Sequence, residues 1–406
     1  MNILVINAYC LTVNSSANLC HLAYINGLID AGHNVTVLSS DPIEYKEDPN
    51  MCIPADAQKV FVNGMSYYQK LSIIKNGEEN ETLTASISRD SINRQPLFIR
   101  ALNRVKKLGL RLYGVHEIYS TFIRKSKRIK LKGSFDYIIS LSSPAASHVV
   151  AYNFLQKNHV SCKRWIQIWE DPWFGDVYGF QNKKKIFDEE RRILQLAEKV
   201  CYVSPLTLMN RQELFPESAH KMFWQPLPYY YKNDTANQMS FDYNRYGYFG
   251  DYVPESRNLE PFYEAAKTCG ISVNICGSPF GLFSSTDKIS ISPRLTLDKL
   301  KPIEDNTNVL VFLCNRESGQ IPGKIYQYSA TNKTILFILD GTNEEKRVLR
   351  EYFEKFNRYV FCENTIEDIT RAIQSIETGN NGNVSNEPIE AFSPKETIKR
   401  ILSESA

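Results

Sequence analysis

No apolar run in this chain approaches the roughly 18 to 20 residues that a membrane-spanning helix needs, which argues against a helical span. The nine cysteines, Cys10, Cys20, Cys52, Cys162, Cys201, Cys269, Cys276, Cys314 and Cys362, are odd in number and contain no Cys-x-x-Cys pair. They read as reduced, mostly buried thiols, not as a disulfide framework or a structural zinc site. No Asp-x-Asp pair is present to hold a divalent cation, and the six histidines, His21, His33, His116, His148, His159 and His220, show no ligand spacing, so no metal and no bound cofactor is expected. The amino terminus, MNILVINAYCLTVNSS, lacks a basic segment and a small-residue cleavage site, which makes the cytoplasm the expected compartment. Internal repeats and low-complexity tracts are also lacking.

What is there describes an ordinary globular protein: 43% apolar and 23% charged residues, over a length that exceeds the ~250 to 300 residues at which single cores stop growing. Two domains are expected. The net charge of +3 hides an asymmetry. Between Arg100 and Lys132 stand eleven Lys or Arg and one acid, Glu117, a local +10 that leaves −7 on the rest. Arg104, Lys106, Lys107 and Arg111 alternate with apolar residues at helical spacing, and Arg124, Lys125, Lys127 and Arg128 form a second basic cluster. Such a face suits anionic lipid headgroups or a solvated helix. Nucleic acid is not expected, because aromatic stacking residues are sparse within the run.

The strand and helix signals alternate. NILVIN reads as a strand, residues 19 to 29 as a helix capped by Ser15 or Ser16 and stopped by Gly32, and NVTVLSS as a second strand. DYIISLSS, RWIQIWE and VCYVS are further strands with helices between them. A polar stretch without periodicity, 231–243, suits a linker. The cycle then restarts with YGYFG, SVNICG, VLVFLC, TILFIL and RYVFC. The reading is α/β: a domain over 1–230, a second over 244–385, and a helix within 386–406 packing back on the first. Two doubly wound Rossmann-like units predict a central cleft with ligands at the carboxyl ends of the strands.

The segment NRESGQIPGKIYQYSATNKTILFIL, 315 to 339, superficially suggests an ATPase phosphate loop. That loop needs four residues between its glycines and a Ser or Thr after the lysine; here there are three, and Ile325 follows. Taken with YFGDYVPESRNLEPFYEAAK and LAEKVCYVSPLTLMNRQELFP, the segment resembles the nucleotide-sugar half of glycosyltransferase family 4, whose members have the GT-B fold and retain anomeric configuration. The resemblance implies transfer from a UDP- or GDP-linked sugar to a glycan acceptor. The acceptor would be polyprenyl-pyrophosphate-linked, in bacterial surface polysaccharide synthesis at the inner face of the plasma membrane.

Residue by residue, the resemblance implies donor contacts from Gly250, Arg257, Ile321, Pro322, Gly323, Lys324 and Gln327. A departing diphosphate needs cations and N–H groups around it, and a helix opening at Lys324 is expected to aim its amides there. The family pairs an Arg with a Lys in the loop after the first strand of this domain, whereas GDYVPESRN has Arg257 alone. The family's two glutamates, with seven residues between them, fall on Gly319 and Gln327. On the acceptor side, Asp171 with Glu170 beside it is the candidate reacting centre at the end of RWIQIWE. Trp169 and Trp173 are equally readable as sugar platforms or core, and Asp171 as a cap before Pro172. A nucleotide-sugar epimerase or hydrolase of the same fold, or a binding protein that has lost catalysis, remain alternative readings.

Overall fold

The computed structural model describes residues 1–45, 47–67, 69–70, 114–131, 133–157, 160–175, 183–230, 244–316, 319–382 and 384–404. The basic residues Arg104, Lys106, Lys107 and Arg111 and the expected linker 231–243 lie outside these. The chain divides into two compact units. The first comprises Met1–Val203, Leu208–Tyr230 and Pro394–Ala406; the second comprises Ser204–Thr207 and Tyr231–Ser393.

The first unit is built on a seven-stranded parallel sheet of order β3-β2-β1-β4-β5-β6-β7. Its strands are β1 (Asn2–Ile6), β2 (Asn34–Ser40), β3 (Gln58–Val62), β4 (Ser134–Ser142), β5 (Ser161–Trp169), β6 (Lys199–Tyr202) and β7 (Met222–Trp224). The central strands are apolar on both faces, as a sheet covered on both sides requires: Ile3 through Ile6 and Ile138, Ile139 and Leu141 are fully buried. Ser15 caps the helix Ser16–Asp30 by accepting the Asn18 N–H, which satisfies one of the free amides of its first turn. Strand order reverses between β1 and β4. Such a switch point opens a crevice at the carboxyl ends of the strands.

The second unit repeats the design with six parallel strands in the order β10-β9-β8-β11-β12-β13. These are β8 (Arg245–Phe249), β9 (Ser272–Cys276), β10 (Ile289–Ser292), β11 (Val309–Leu313), β12 (Thr334–Leu339) and β13 (Tyr359–Glu363). Its switch point falls between β8 and β11. The helix Glu260–Cys269 stops at Gly270, whose φ of 63° is the left-handed conformation that ends helices at low cost for glycine. Thr342 and Glu345 form a reciprocal capping box on the helix Asn343–Glu354.

The expected doubly wound α/β architecture is present in both units, with three strands more than the apolar runs suggest: β3, β7 and β10. All three are edge strands. QKVFV and ISIS each bury a single residue, so they carry no run of apolar residues to read.

The last helix, Pro394–Ser403, belongs to the first unit and lies against Ser16–Asp30. Ile398 and Ile401 are fully buried there. The helices approach so closely at Gly27 that a Cβ would stand 2.3 Å from the Pro394 carbonyl oxygen. Gly27→Val should therefore force the two helices apart and cost about 1 to 3 kcal/mol, measured as a lowered urea midpoint; an unchanged midpoint would show that the approach is dispensable.

Candidate active site

Three strand ends of the first sheet converge on one imidazole. Asn7 follows β1, Ser142 closes β4 and Glu170 follows β5, so all three stand on the carboxyl edge. His21, fully buried on the helix Ser16–Asp30, meets each of them. Its Nδ1 is 2.5 Å from Asn7 Nδ2; its Nε2 is 3.4 Å from the Ser142 carbonyl oxygen and 3.2 Å from Glu170 Oε1. The contact with Glu170 is close but bent, and it leaves Oε1 buried without an aligned donor. Burial pushes the Glu170 carboxyl above its ordinary range, with His21 pulling the other way. Burial and then the charges of Glu170 and Asp171 drive the Cys20 thiol well up, which places both carboxyls beside that helix.

A second imidazole is core. His148 is fully buried, its ring centroid 4.2 Å from that of Trp169. Ser140 Oγ accepts from Trp165 Nε1 at 2.8 Å and stands 2.7 Å from His148 Nδ1, to which it is free to donate. Burial holds His148 well below the usual histidine range, and His21 acts in the same sense. Trp169 is 1% exposed and donates to Gln167 Oε1, so it is core and not a sugar platform. Trp173 is half-buried and stacks on His116 with centroids 5.5 Å apart. Asp171 is half-buried, and the chain turns at Phe174–Gly175, so it caps no helix at Pro172.

In the second unit Arg257 occupies the switch point. Its Nε donates to Asn315 Oδ1 at 2.6 Å, two residues beyond β11, and Asn315 Nδ2 donates to the Gln320 carbonyl at 3.2 Å. Gly250, directly after β8, has Tyr248 Oη and Arg257 Nη1 within 4 Å of where its Cβ would be. Burial pushes the Tyr248 hydroxyl up to about 12, against the pull of Arg257. Gly277 after β9 lies so near Gly250 that a Cβ would stand 1.8 Å from the Gly250 carbonyl oxygen. Only glycine permits that approach of two strand-end loops.

The Gly-Lys turn joins the same edge but differs from expectation. Ile321 is buried, Pro322 and Gly323 are half-buried, and the helix that follows is only Lys324–Tyr328. The Ile325 and Tyr326 amides are taken up by the Pro322 and Gly323 carbonyls at 3.2 Å, because tight turns close on themselves. They are not aimed at a ligand. Lys324 Nζ is 3.4 Å from Glu304 Oε1 and 5.9 Å above the Tyr328 ring. Burial, then Glu304 and the Tyr248 hydroxyl, drive Tyr328 well up. Gln327 is half-buried on the same short helix. Gly319 has φ +65°, and its carbonyl accepts from Ser204 Oγ at 2.6 Å. A glutamate there would be strained.

Sequence reasoning missed His21, Asn7, Tyr248 and Asn315. An isolated polar residue inside an apolar pattern gives no signal of its own. Of the second basic cluster, Arg124, Lys127 and Arg128 are exposed, and Lys125 donates to Asn63 Oδ1 at 3.1 Å. A cavity of about 360 Å³ is lined by Met65, Tyr67, Lys70, Thr121, Arg124 and Lys125.

The loop carrying Glu170 and Asp171 is anchored by a buried ion pair. Glu190 accepts the Phe174 N–H at 2.7 Å and lies 3.4 Å from Arg211 Nη1. Burial pushes the Glu190 carboxyl up to about 7, against the pull of Arg211. A carboxyl raised on folding stabilises most at acid pH, and that contribution fades as pH rises through its folded value. The stability of wild type relative to Glu190→Gln should therefore fall by up to ~3 kcal/mol between pH 5 and 8 in urea melts; a constant difference would contradict this.

No protein-family model matches this chain, and no curated protein does. Solved structures match over its whole length. Sucrose-phosphate synthase from Thermosynechococcus elongatus is similar at 12% identity and TM-score 0.55, covering 99% of this chain and 94% of that one. UDP-GlcNAc 2-epimerase from Methanocaldococcus jannaschii gives 11% and 0.54, covering 99% of each. A glycosyltransferase from Rickettsia africae ESF-5 gives 12% and 0.52, covering 100% and 95%. At such identity the likeness is one of fold: the two parallel-sheet units are the GT-B architecture.

Proposed function

We propose that this chain is a retaining glycosyltransferase that moves a sugar from a nucleoside diphosphate sugar to a glycan acceptor. The observation that best supports this is Arg257, held on Asn315 at the switch point of the second sheet, beside the close approach of two residues without side chains, Gly250 and Gly277. Arg257 and Lys324 take up the charge that grows on the departing diphosphate, and Gln327 holds the ribose hydroxyls through its amide. On the first unit, Asp171 orients the acceptor hydroxyl, and the Glu170 carboxylate favours positive charge on the sugar ring. The acceptor oxygen bonds to the anomeric carbon as the bond to the diphosphate breaks, and its proton passes to the leaving diphosphate on the same face. The scheme invokes no divalent metal.

The exposed Arg124, Lys127 and Arg128, with Ile43 84% and Tyr67 72% exposed on the same unit, suit an anionic membrane surface and a lipid-pyrophosphate-linked acceptor, each charge contributing about 1 kcal/mol. Among the described residues no helix is long and apolar enough to cross a membrane. We place the protein peripherally on the inner face of the plasma membrane, in surface polysaccharide synthesis.

An epimerase or hydrolase is the rival, favoured by the likeness to a 2-epimerase. It would consume donor with no acceptor present, whereas a transferase hydrolyses donor only slowly. In a thermal-shift screen against UDP, GDP and their sugars, one nucleotide should raise the melting temperature, and Arg257→Met or Lys324→Glu should weaken it at least about tenfold, near 1.4 kcal/mol; unchanged affinity in both would overturn the donor site. Asp171→Asn should lower turnover with donor affinity intact, and a fully active variant removes Asp171 from the reacting centre. Reversing Arg124, Lys127 and Arg128 to Glu should release the protein from vesicles containing anionic lipid, and unaltered sedimentation would sink the membrane assignment.

A further inference from the structure

The polar groups around His21 leave its tautomer no choice. Asn7 Oδ1 accepts the Tyr9 N–H at 2.8 Å. A backbone N–H can only donate, so the amide oxygen is fixed on that side and the amide NH2 faces His21 Nδ1. Nδ1 must accept. The ring proton therefore sits on Nε2, between the Ser142 carbonyl and Glu170 Oε1. Asn7, His21 and Ser142 are each at most 1% exposed, so water does not compete for these contacts.

We propose that Asn7 and His21 are positioning residues for Glu170: the Asn7 amide holds the imidazole as its Nε2–H tautomer, whose N–H bonds the Ser142 carbonyl, and the charge carried by that ring, 3.2 Å from Glu170 Oε1, governs when the buried carboxyl ionises. The inference rests on the reading of Glu170 as part of the reacting centre. Other titratable groups face the cluster. Cys20 comes from the same helix as His21, Asp171 from the loop of Glu170, and His148, from the helix Ala146–Gln156, is a second imidazole on which His21 acts. Cys20 is driven away from its thiolate and His148 away from its cation, so both stand neutral. Asp171 is the remaining carboxyl of this set.

A single isosteric change reverses the arrangement. Asn7→Asp keeps an oxygen for the Tyr9 N–H and turns a second oxygen toward His21 Nδ1, which then carries a proton. The imidazole becomes a cation 3.2 Å from Glu170 Oε1, and the new carboxylate lies on the far side of the ring. An opposite charge at that range favours the ionised carboxyl and lowers its titration by about 1 to 3 pH units.

The full chain, labelled with ¹⁵N-histidine and with ¹³C at the glutamate carboxyls, tests this by NMR with no ligand added. In wild type, His21 should carry its proton on Nε2 with Nδ1 bare; a proton on Nδ1 overturns the proposal without any variant. In folded Asn7→Asp the Glu170 titration should move to lower pH, and an unmoved titration also overturns it. The acid limb of kcat/KM for sugar transfer should move down by the same amount, whereas a structural role for Asn7 would alter the rate and leave the limb in place. If the Glu170 titration moves but no sugar transfer is found with any donor, the positioning role stands and the glycosyltransferase reading falls.

Discussion

Parallel pairing is the constraint on which the rest of the molecule depends. A parallel strand can be rejoined only by a crossover, so every loop leaving a strand of one sheet emerges on the same edge. With strand order reversing between β1 and β4, and again between β8 and β11, each unit has one crevice where neighbouring loops diverge. Asn7, Ser142 and Glu170 meet at the first, and Gly250, Arg257 and Asn315 at the second. Residues more than a hundred positions apart in sequence thus become neighbours without any loop having to reach far.

In each unit, polar groups are placed where their desolvation is offset by fixed partners. Glu190 and Arg211 lie buried together and hold the Phe174 amide; Arg257 is locked onto Asn315, which is itself locked onto the Gln320 carbonyl. A buried pair of this kind contributes little net stability. Its effect is to hold one conformation of a loop that would otherwise have several. A site for a charged ligand needs that, since cations fixed in advance require no reorganisation when negative charge develops.

Much of the fold was legible because both-face burial writes itself as apolar runs. NILVIN, DYIISLSS and TILFIL announce central strands, and Ser15 and Gly32 announce the ends of the first helix. The edge strands β3 and β10 were illegible for the converse reason: QKVFV and ISIS bury one residue each. At the site, Arg257 and the Glu170–Asp171 pair could be proposed because charges at a strand's carboxyl end are conspicuous. His21 could not, since a histidine on an apolar helix looks like any core histidine until Asn7 and Glu170 are brought beside it. At the Gly-Lys turn two of the expected donors are used within the turn, since the Ile325 and Tyr326 amides close on the Pro322 and Gly323 carbonyls, while the side chain of Lys324 lies beside Glu304.

The central claim is that the edge carrying Arg257 and Gly250 receives a nucleoside diphosphate. A crystal structure of the protein soaked with UDP or GDP tests it most directly. The account predicts diphosphate oxygens within hydrogen-bond distance of the Arg257 guanidinium, at the carboxyl ends of β8 and β11. A nucleotide bound elsewhere on the chain, or none at saturating concentration, would contradict it.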